Sequence, residues 1–395
     1  MTTPSLPLAA PEEVGLSATR LRRLGDVLAS EIESGRVPGT VALIARRGKL
    51  AYFEAAGARD PGSGAAMRKD DIFRIYSMTK PIVSVAAMML WEEGQFLLGD
   101  PLAKYLPEFA GQKVAVEHGG EIELVAAERE ITLQDLLRHT SGLTYEFRGN
   151  APVQKLYMNA KTFRRNQTNA EQATTLASLP LMHQPGTVWE YSRSTDVLGR
   201  IIEVLTGQSL GEVLAERILR PLGMTDTDFH VPAAKHGRLA EAFPRDPESG
   251  TAVQLLEVRE KPSFESGGGG LVSTAIDYAR FLQMMLNGGR LDGVRLLSRK
   301  TVEYMTADHL GGITGAPDLL IPGYGFGLGF AVRLAAGIAQ VPGSVGQYYW
   351  GGLAGTTFWV DPAEQLFALL LIQGPGQREY YRVLFRDLVY AAVAD

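Results

Sequence analysis

The 395-residue chain contains no cysteine. Disulfides, thiolate nucleophiles, iron–sulfur clusters and cysteine-ligated zinc are therefore all excluded. A surplus of positive charge is missing too. The formal net charge is −5, and the 39 basic residues, mostly arginine, are scattered along the chain. A nucleic-acid binder needs a basic face to neutralise phosphates, so nucleic acid is not an expected partner. No apolar run approaches the roughly 18 residues of a membrane span. The longest, around Leu366–Ile372, is short, rich in strand formers and bounded by Glu364 and Gly374. The amino terminus, MTTPSLPLAAPEEVGLS, has no basic start followed by an apolar stretch, so it does not read as a signal peptide. A cytoplasmic protein with no membrane partner is the expectation. What is present fits a folded chain: 45% hydrophobic and 21% charged residues can bury a large core. The length suits two lobes or one large domain.

Strand signals crowd the two ends. After an amphipathic helix through Leu21, Leu24, Val27, Leu28 and Ile32, with Ser17 as its N-cap, Thr40–Arg46 and Lys49–Ala56 flank an Arg47-Gly48 turn. That pair predicts a β-hairpin. Further strands are expected at Gly327–Arg333, Val345–Trp350, Gly355–Val360 and Gln365–Ile372, and a closing helix at about Arg378–Ala394. The middle is helical in pattern. Thr132-Leu-Gln-Asp135 resembles a capping box, Asp196–Leu205 and Gly211–Leu219 form two amphipathic stretches meeting at Thr206-Gly207, and Asp277–Leu286 follows a flexible Gly267–Gly270 run. About Gly111–Glu130 and Gly149–Ala170 no period is visible, and both read as loop-rich. One antiparallel sheet built from both chain ends, with a helical insertion, is the architecture this order predicts. The alternating βαβ units of a doubly wound parallel sheet are missing.

The chemistry begins at Tyr76-Ser77-Met78-Thr79-Lys80-Pro81. Ser77 follows the apolar run Ile72–Ile75 and precedes a helix through Val83, Ala86, Ala87 and Leu90. Pro81 belongs in a first helical turn, because deeper it clashes with the preceding turn. Ser77 then sits at the amino end of a helix, where backbone N–H groups and the helix dipole favour developing negative charge. Lys80, three residues on, shares a helix face with it. A Ser-x-x-Lys pair joins a nucleophile to a cationic or basic partner. Alone it is weak evidence: with 18 serines and 10 lysines, chance supplies about half of one such pair. A capping serine beside a solvated lysine is the plain alternative.

Two further motifs change that balance. Tyr191-Ser192-Arg193 follows Gln184–Glu190, and Trp350-Gly351-Gly352-Leu353 ends a late strand, with His139-Thr140-Ser141-Gly142-Leu143 between the first and second motifs. In this order and spacing the chain resembles the serine β-lactamase-like superfamily, which includes class C β-lactamases, D-Ala-D-Ala carboxypeptidases and family VIII carboxylesterases. The resemblance runs from Arg46 to the final helix. It implies an α/β (α+β type) fold, with an antiparallel sheet lobe flanked by terminal helices (residues 1–75 and 250–395), a mostly helical lobe (76–249), and the active site at their interface. It further implies that Ser77 is the acylated serine, with Lys80 beside it. Tyr191 is then the phenol that exchanges protons with the serine and the leaving group, which requires a nearby cation. Lys80 and Tyr191 both remain candidates for the base. The oxyanion hole would be the backbone N–H groups of Ser77 and Leu353. Tyr145, just past the His139 motif, resembles a family position that faces the site or packs beside it.

The departures from the family pattern carry the choice of substrate. β-Lactamases and penicillin-binding relatives have Lys-Thr-Gly or similar where this chain has Trp350-Gly351-Gly352, and Tyr-x-Asn where it has Tyr191-Ser192-Arg193. The lysine holds a β-lactam carboxylate, and an indole cannot. The pattern looks like a family VIII carboxylesterase acting on small-molecule, short-chain esters. Trp350, Gly351, Gly352, Tyr145 and Arg193 are then candidate substrate contacts. Arg193 could bind a carboxylate or carbonyl, or point to solvent. A β-lactamase, a D-Ala-D-Ala peptidase and an acyltransferase are alternatives in the same fold; a non-enzymatic binding protein is disfavoured by the intact Ser77, Lys80 and Tyr191. A decoy is also present. Gly207-Gln208-Ser209-Leu210-Gly211 matches a Gly-x-Ser-x-Gly elbow, with His309 downstream and Asp226 or Asp228 between, but the preceding segment is helical in period where an elbow needs a strand. The remaining histidines show no metal-ligand spacing, so neither metal nor cofactor is expected. Trp91 and Trp359 read as packing.

Overall fold

The expected hairpin forms between Gly39–Arg46 and Lys49–Asp60. Arg47 and Gly48 have φ of 53° and 77°, the two left-handed residues that a tight two-residue hairpin turn requires. In this computed structural model, which describes residues 6–119, 121–315 and 319–395, the hairpin becomes part of one eight-stranded sheet. The strand order is 324–326, 331–333, 348–351, 357–361, 366–371, 39–46, 49–60 and 65–66. All neighbours are antiparallel. The two chain ends meet where Gly39–Arg46 pairs with Leu366–Leu371, Val41 opposite Leu371 and Arg46 opposite Leu366.

Both faces of the central strands are covered, which explains why Leu366–Ile372 is apolar at every position. Side chains alternate across a strand. Ala42, Ile44, Leu366, Ala368 and Leu370 therefore face one core with Leu21, Leu24 and Leu28 of the Ala18–Glu33 helix and Tyr381, Phe385 and Val389 of the Arg378–Ala391 helix. Val41, Leu43, Phe367, Leu369 and Leu371 face the second, larger core, which includes Tyr278, Phe281 and Leu282 of the Ala275–Leu286 helix. Ser17 caps the first helix by accepting from the Arg20 N–H at 3.4 Å. The helical middle contains Thr79–Glu92, Leu133–Leu137, Asn169–Ala177 and Ser194–Thr206. The Thr132–Asp135 capping box forms as expected, with N–H···O contacts of 3.2 and 2.9 Å.

Several expectations need correction. The stretch read as loop from 111 to 130 holds a hairpin, Lys113–His118 with Glu121–Ala126; most of its residues are exposed, so no burial rhythm marks it in the sequence. Pro152–Asn159, inside the second such stretch, is a helix. The strand expected at 327–333 shrinks to Ala331–Arg333, and the one expected at 345–350 runs Tyr348–Gly351. Glycines with positive φ interrupt the backbone, Gly329 at 97° and Gly346 at 87°. A short edge strand, Tyr324–Phe326, was not anticipated. The Gly267–Gly270 run is not a flexible linker but a tightly packed crossing. A Cβ on Gly268 would stand 2.8 Å from the Tyr145 hydroxyl and 2.9 Å from Asp196, and one on Gly270 would stand 2.7 Å from the Phe229 ring. No helix among the described residues is long and apolar enough to cross a membrane.

Candidate active site

The short strand Phe73–Arg74, paired with Val272–Ser273, delivers the chain to Ser77. Tyr76 then adopts a left-handed φ of 42°, an unusual conformation for a bulky residue, and turns the backbone into the helix. Its phenol is tied down by the Leu256 N–H at 2.7 Å. Ser77 and Met78 make one tight turn, and Thr79–Glu92 continues as an α-helix with Pro81 in its first turn.

Lys80 lies below Ser77, only 1% exposed. Its Nζ donates to Ser77 Oγ at 3.4 Å, to the Tyr145 hydroxyl at 3.0 Å and to the Gly268 carbonyl at 2.6 Å. Three oxygens from three separate segments thus converge on one side-chain nitrogen. The same nitrogen is 4.4 Å from the centre of the Tyr191 ring and 5.3 Å from that of Tyr145, within cation–π range of both. Asp196 anchors the segment that presents this carbonyl: its Oδ1 accepts from the Gly268 N–H at 2.9 Å and from the Ser266 hydroxyl at 2.5 Å.

Tyr191 follows buried Trp189 and precedes the Ser194–Thr206 helix. Its ring packs among His139, Tyr145 and Trp350, with centroids 5.0, 5.3 and 5.2 Å away. Its hydroxyl accepts from the Trp350 indole N–H at 3.3 Å. The one polar donor of Trp350, expected to face a substrate, is thus spent on the tyrosine. His139, at a φ of 58°, is buried; burial, and then the charge of Lys80, holds its imidazole well below the ordinary histidine range and so neutral. Burial, reinforced by Asp196 and Tyr191, pushes the Tyr145 phenol well above its usual range, so it too stays neutral.

Arg193 does not point to solvent. It is buried, with Nη2 on Glu146 and Nη1 3.2 Å from Asp196, and its guanidinium lies 4.8 Å from the Tyr145 ring centre. Burial opposes its charge, yet Asp196 and Glu146 hold the proton more firmly than usual. Arg193 thus sits among Glu146, Asp196 and the Tyr145 ring, and the Tyr145 hydroxyl lies on Lys80 Nζ.

A cleft of about 460 Å³ opens onto Ser77 and Tyr191, with Trp350, Gly351, Gly352 and Leu353 along one side. Phe147, Leu319, Ile321, Val341 and Val383 supply apolar walls, and Arg378, Arg382 and Glu379 come from the last helix. Gly352 lets the strand end approach the Ser77 turn, since a Cβ there would stand 2.5 Å from the Ile75 carbonyl oxygen. The Leu353 N–H donates to no other group among the described residues.

The decoy serine is a helix cap. Ser209 Oγ accepts from the Glu212 N–H at 3.3 Å, and the Glu212 carboxylate accepts from the Ser209 N–H at 2.9 Å. His309 is engaged by the Tyr304 carbonyl and Gln134, while Asp226 pairs with Lys235 and Arg238. These groups do not converge. Asp196, Glu146, Gly268 and Arg382 were missed from the sequence. For Gly268 a signal was available in the four-glycine run, and for Asp196 in its position one helical turn after Arg193. Nothing local marks the other two. No cluster of three or more metal-ligating side chains occurs among the described residues.

The model of the beta-lactamase family matches residues 23–391. The chain belongs to the beta-lactamase family. Within it, the chain is 37% identical over 353 residues to Protein Rv1367c of Mycobacterium tuberculosis, covering 86% of this chain and 87% of that one. It is 32% identical over 404 residues to Esterase EstB of Burkholderia gladioli, covering 96% and 98%. Among solved structures it is similar to EstCE1, described as a hydrolase with promiscuous acyltransferase activity, with a TM-score of 0.78 at 27% identity, covering 94% and 98%. The mixed helix and antiparallel sheet of this chain are those of the beta-lactamase and penicillin-binding-protein fold, and the chain is a serine hydrolase.

Proposed function

We propose that this family member is a carboxylesterase that hydrolyses small, short-chain esters through an acyl-enzyme on Ser77, in the cleft between a sheet lobe (1–75 and 250–395) and a helical lobe (76–249). The observation that carries this reading is the Lys80 amine: it reaches Ser77 Oγ at 3.4 Å while facing the Tyr191 ring at 4.4 Å, beneath a cleft that contains both residues. Ser77 Oγ attacks the ester carbonyl and passes its proton to the unprotonated member of the Lys80–Tyr191 pair, the neutral Lys80 amine or the Tyr191 phenolate. The carbonyl oxygen becomes an oxyanion opposite the Ser77 and Leu353 N–H groups. The pair then returns the proton to the departing alcohol, leaving the acyl group on Ser77, and water repeats the sequence in reverse.

Trp350 supports ester over β-lactam chemistry. It occupies the strand position from which β-lactam-cleaving relatives present a cation, and its indole N–H is committed to Tyr191. Arg193 does not replace that cation, because Glu146 and Asp196 already neutralise it. An alcohol in place of water would turn the same acyl-enzyme into an acyltransferase, and the promiscuous acyltransferase activity of EstCE1 favours that second outcome as a side reaction.

The test is covalent labelling. An organophosphonate should modify the peptide containing Ser77. Ser77→Ala should lose ester hydrolysis by several orders of magnitude. Ser209→Ala should keep it, losing only about 1 kcal/mol of stability with its helix cap. A label on the Ser209 peptide would refute the assignment.

A further inference from the structure

The Gly352–Leu353 peptide bond is held from one end only. Its N–H, on Leu353, is the oxyanion donor of the proposed acyl transfer and is otherwise unengaged among the described residues. Its carbonyl, on Gly352, accepts from the Gly355 N–H at 3.1 Å and from Arg382 Nη2 at 2.8 Å. Arg382 lies in the first turns of the closing helix, Arg378–Ala391, with Nη1 on Glu379 at 2.8 Å. Its guanidinium is laid across Gly351: a Cβ on that glycine would stand 2.6 Å from Nη2 and 2.8 Å from both Cζ and Nε.

We propose that Arg382 is a positioning residue for catalysis, which orients and polarises the Gly352–Leu353 peptide as an oxyanion donor. The inference rests on the acyl-enzyme reading. A peptide unit is planar, so fixing the carbonyl fixes the N–H on its opposite side. A cation hydrogen-bonded to the carbonyl oxygen draws electron density toward it, and hydrogen bonds through one polarisable unit strengthen one another. The donor is thereby aimed before charge develops, which is the condition under which oxyanion stabilisation is large. This assigns separate reasons to two adjacent glycines. Gly352 allows contact with the nucleophile turn, and Gly351 leaves a seat for the guanidinium. It also gives the last helix, whose Arg378, Glu379 and Val383 already line the cleft, a link to the reacting atoms.

The test uses Arg382→Met, Arg382→Lys and Gly351→Ala with a p-nitrophenyl short-chain ester and a boronic acid that mimics the tetrahedral intermediate. Arg382→Met should lower kcat about tenfold with KM changed less than about twofold, a fraction of the loss when an oxyanion donor is removed outright. Boronate affinity should weaken in proportion, and Arg382→Lys should recover part of both. Gly351→Ala displaces the guanidinium without removing it, so it should reproduce the loss, and the double variant should be no worse than the worse single one. This second route keeps the test informative if Arg382→Met folds poorly. Losses that multiply in the double variant would overturn the proposal. So would a change in KM alone, or unaltered boronate affinity. Ser77→Ala separates the two levels: retained hydrolysis would sink the acyl-enzyme reading itself, whereas Ser77-dependent hydrolysis unaffected by Arg382→Met would sink only this inference.

Discussion

Arg193→Met tests the reading of the buried charges directly. The arginine side chain is 8% exposed, and its carboxylate partners Glu146 and Asp196 are 4% and 0% exposed. Replacing it by a side chain of similar length keeps the packing but strands two buried carboxylates. Removing one partner of such an arrangement typically costs about 3–5 kcal/mol, most of it the penalty of the uncompensated charges. For 395 residues, an unfolding entropy of roughly 2.1 cal/mol/K per residue gives about 0.8 kcal/mol per degree, so Tm should fall by roughly 4–6 °C. Urea unfolding should show the midpoint shift with an unchanged slope. Turnover should also fall, because Asp196 holds the Gly268 segment that positions Lys80, but it should fall alike for neutral and carboxylate-bearing esters. Adding Glu146→Gln should restore part of the stability by removing one stranded charge. If Arg193→Met were as stable as the parent and lost only its KM for carboxylate-bearing substrates, the arginine would be a substrate contact and the network argument would be wrong.

Three further outcomes follow from the same geometry. Lys80→Ala and Tyr191→Phe should each lose most of the turnover, and the double variant should be little worse than either, since groups sharing one proton path do not contribute independently; single-turnover acylation rates check this, and multiplying losses would separate their roles. Short-chain p-nitrophenyl esters should greatly exceed a chromogenic cephalosporin in kcat/KM, because a β-lactam carboxylate meets the Trp350 indole without a strand cation; comparable efficiencies would defeat the esterase reading. His139, held neutral by burial and by Lys80, should make stability pH-dependent. Below about pH 6.5 the unfolded chain takes up a proton that the folded state refuses, so stability is complete above that pH and declines as pH falls, by up to about 1.4 kcal/mol per pH unit. His183 and His309, also lowered by burial, act in the same direction. His139→Asn should therefore flatten, but not abolish, the slope seen in urea unfolding between pH 6.5 and 5; an unchanged slope would refute it.

Local chemistry alone determined much of this protein. The Arg47-Gly48 turn, the Thr132–Asp135 box and the fully apolar Leu366–Ile372 run report φ preference, capping and two-sided burial, each expressed within a few residues. The Ser77–Lys80 spacing is likewise local, because one helical turn places both on one face. The exposed 113–126 hairpin was not legible, since it buries too little to impose a rhythm. The tertiary structure alone decided what surrounds Ser77. Arg193 could be read as solvent-facing or substrate-facing until Glu146, 47 residues earlier, was brought against it. The Trp350 indole, a candidate substrate contact, lines the cleft with its N–H on Tyr191, 159 residues away in sequence. Lys80 and Arg382 each donate to a backbone carbonyl, of Gly268 and Gly352, and which carbonyl a distant cation meets is not written in the residue that bears it. Contacts made between distant segments depend on the whole packing, and only the folded chain brings their partners together.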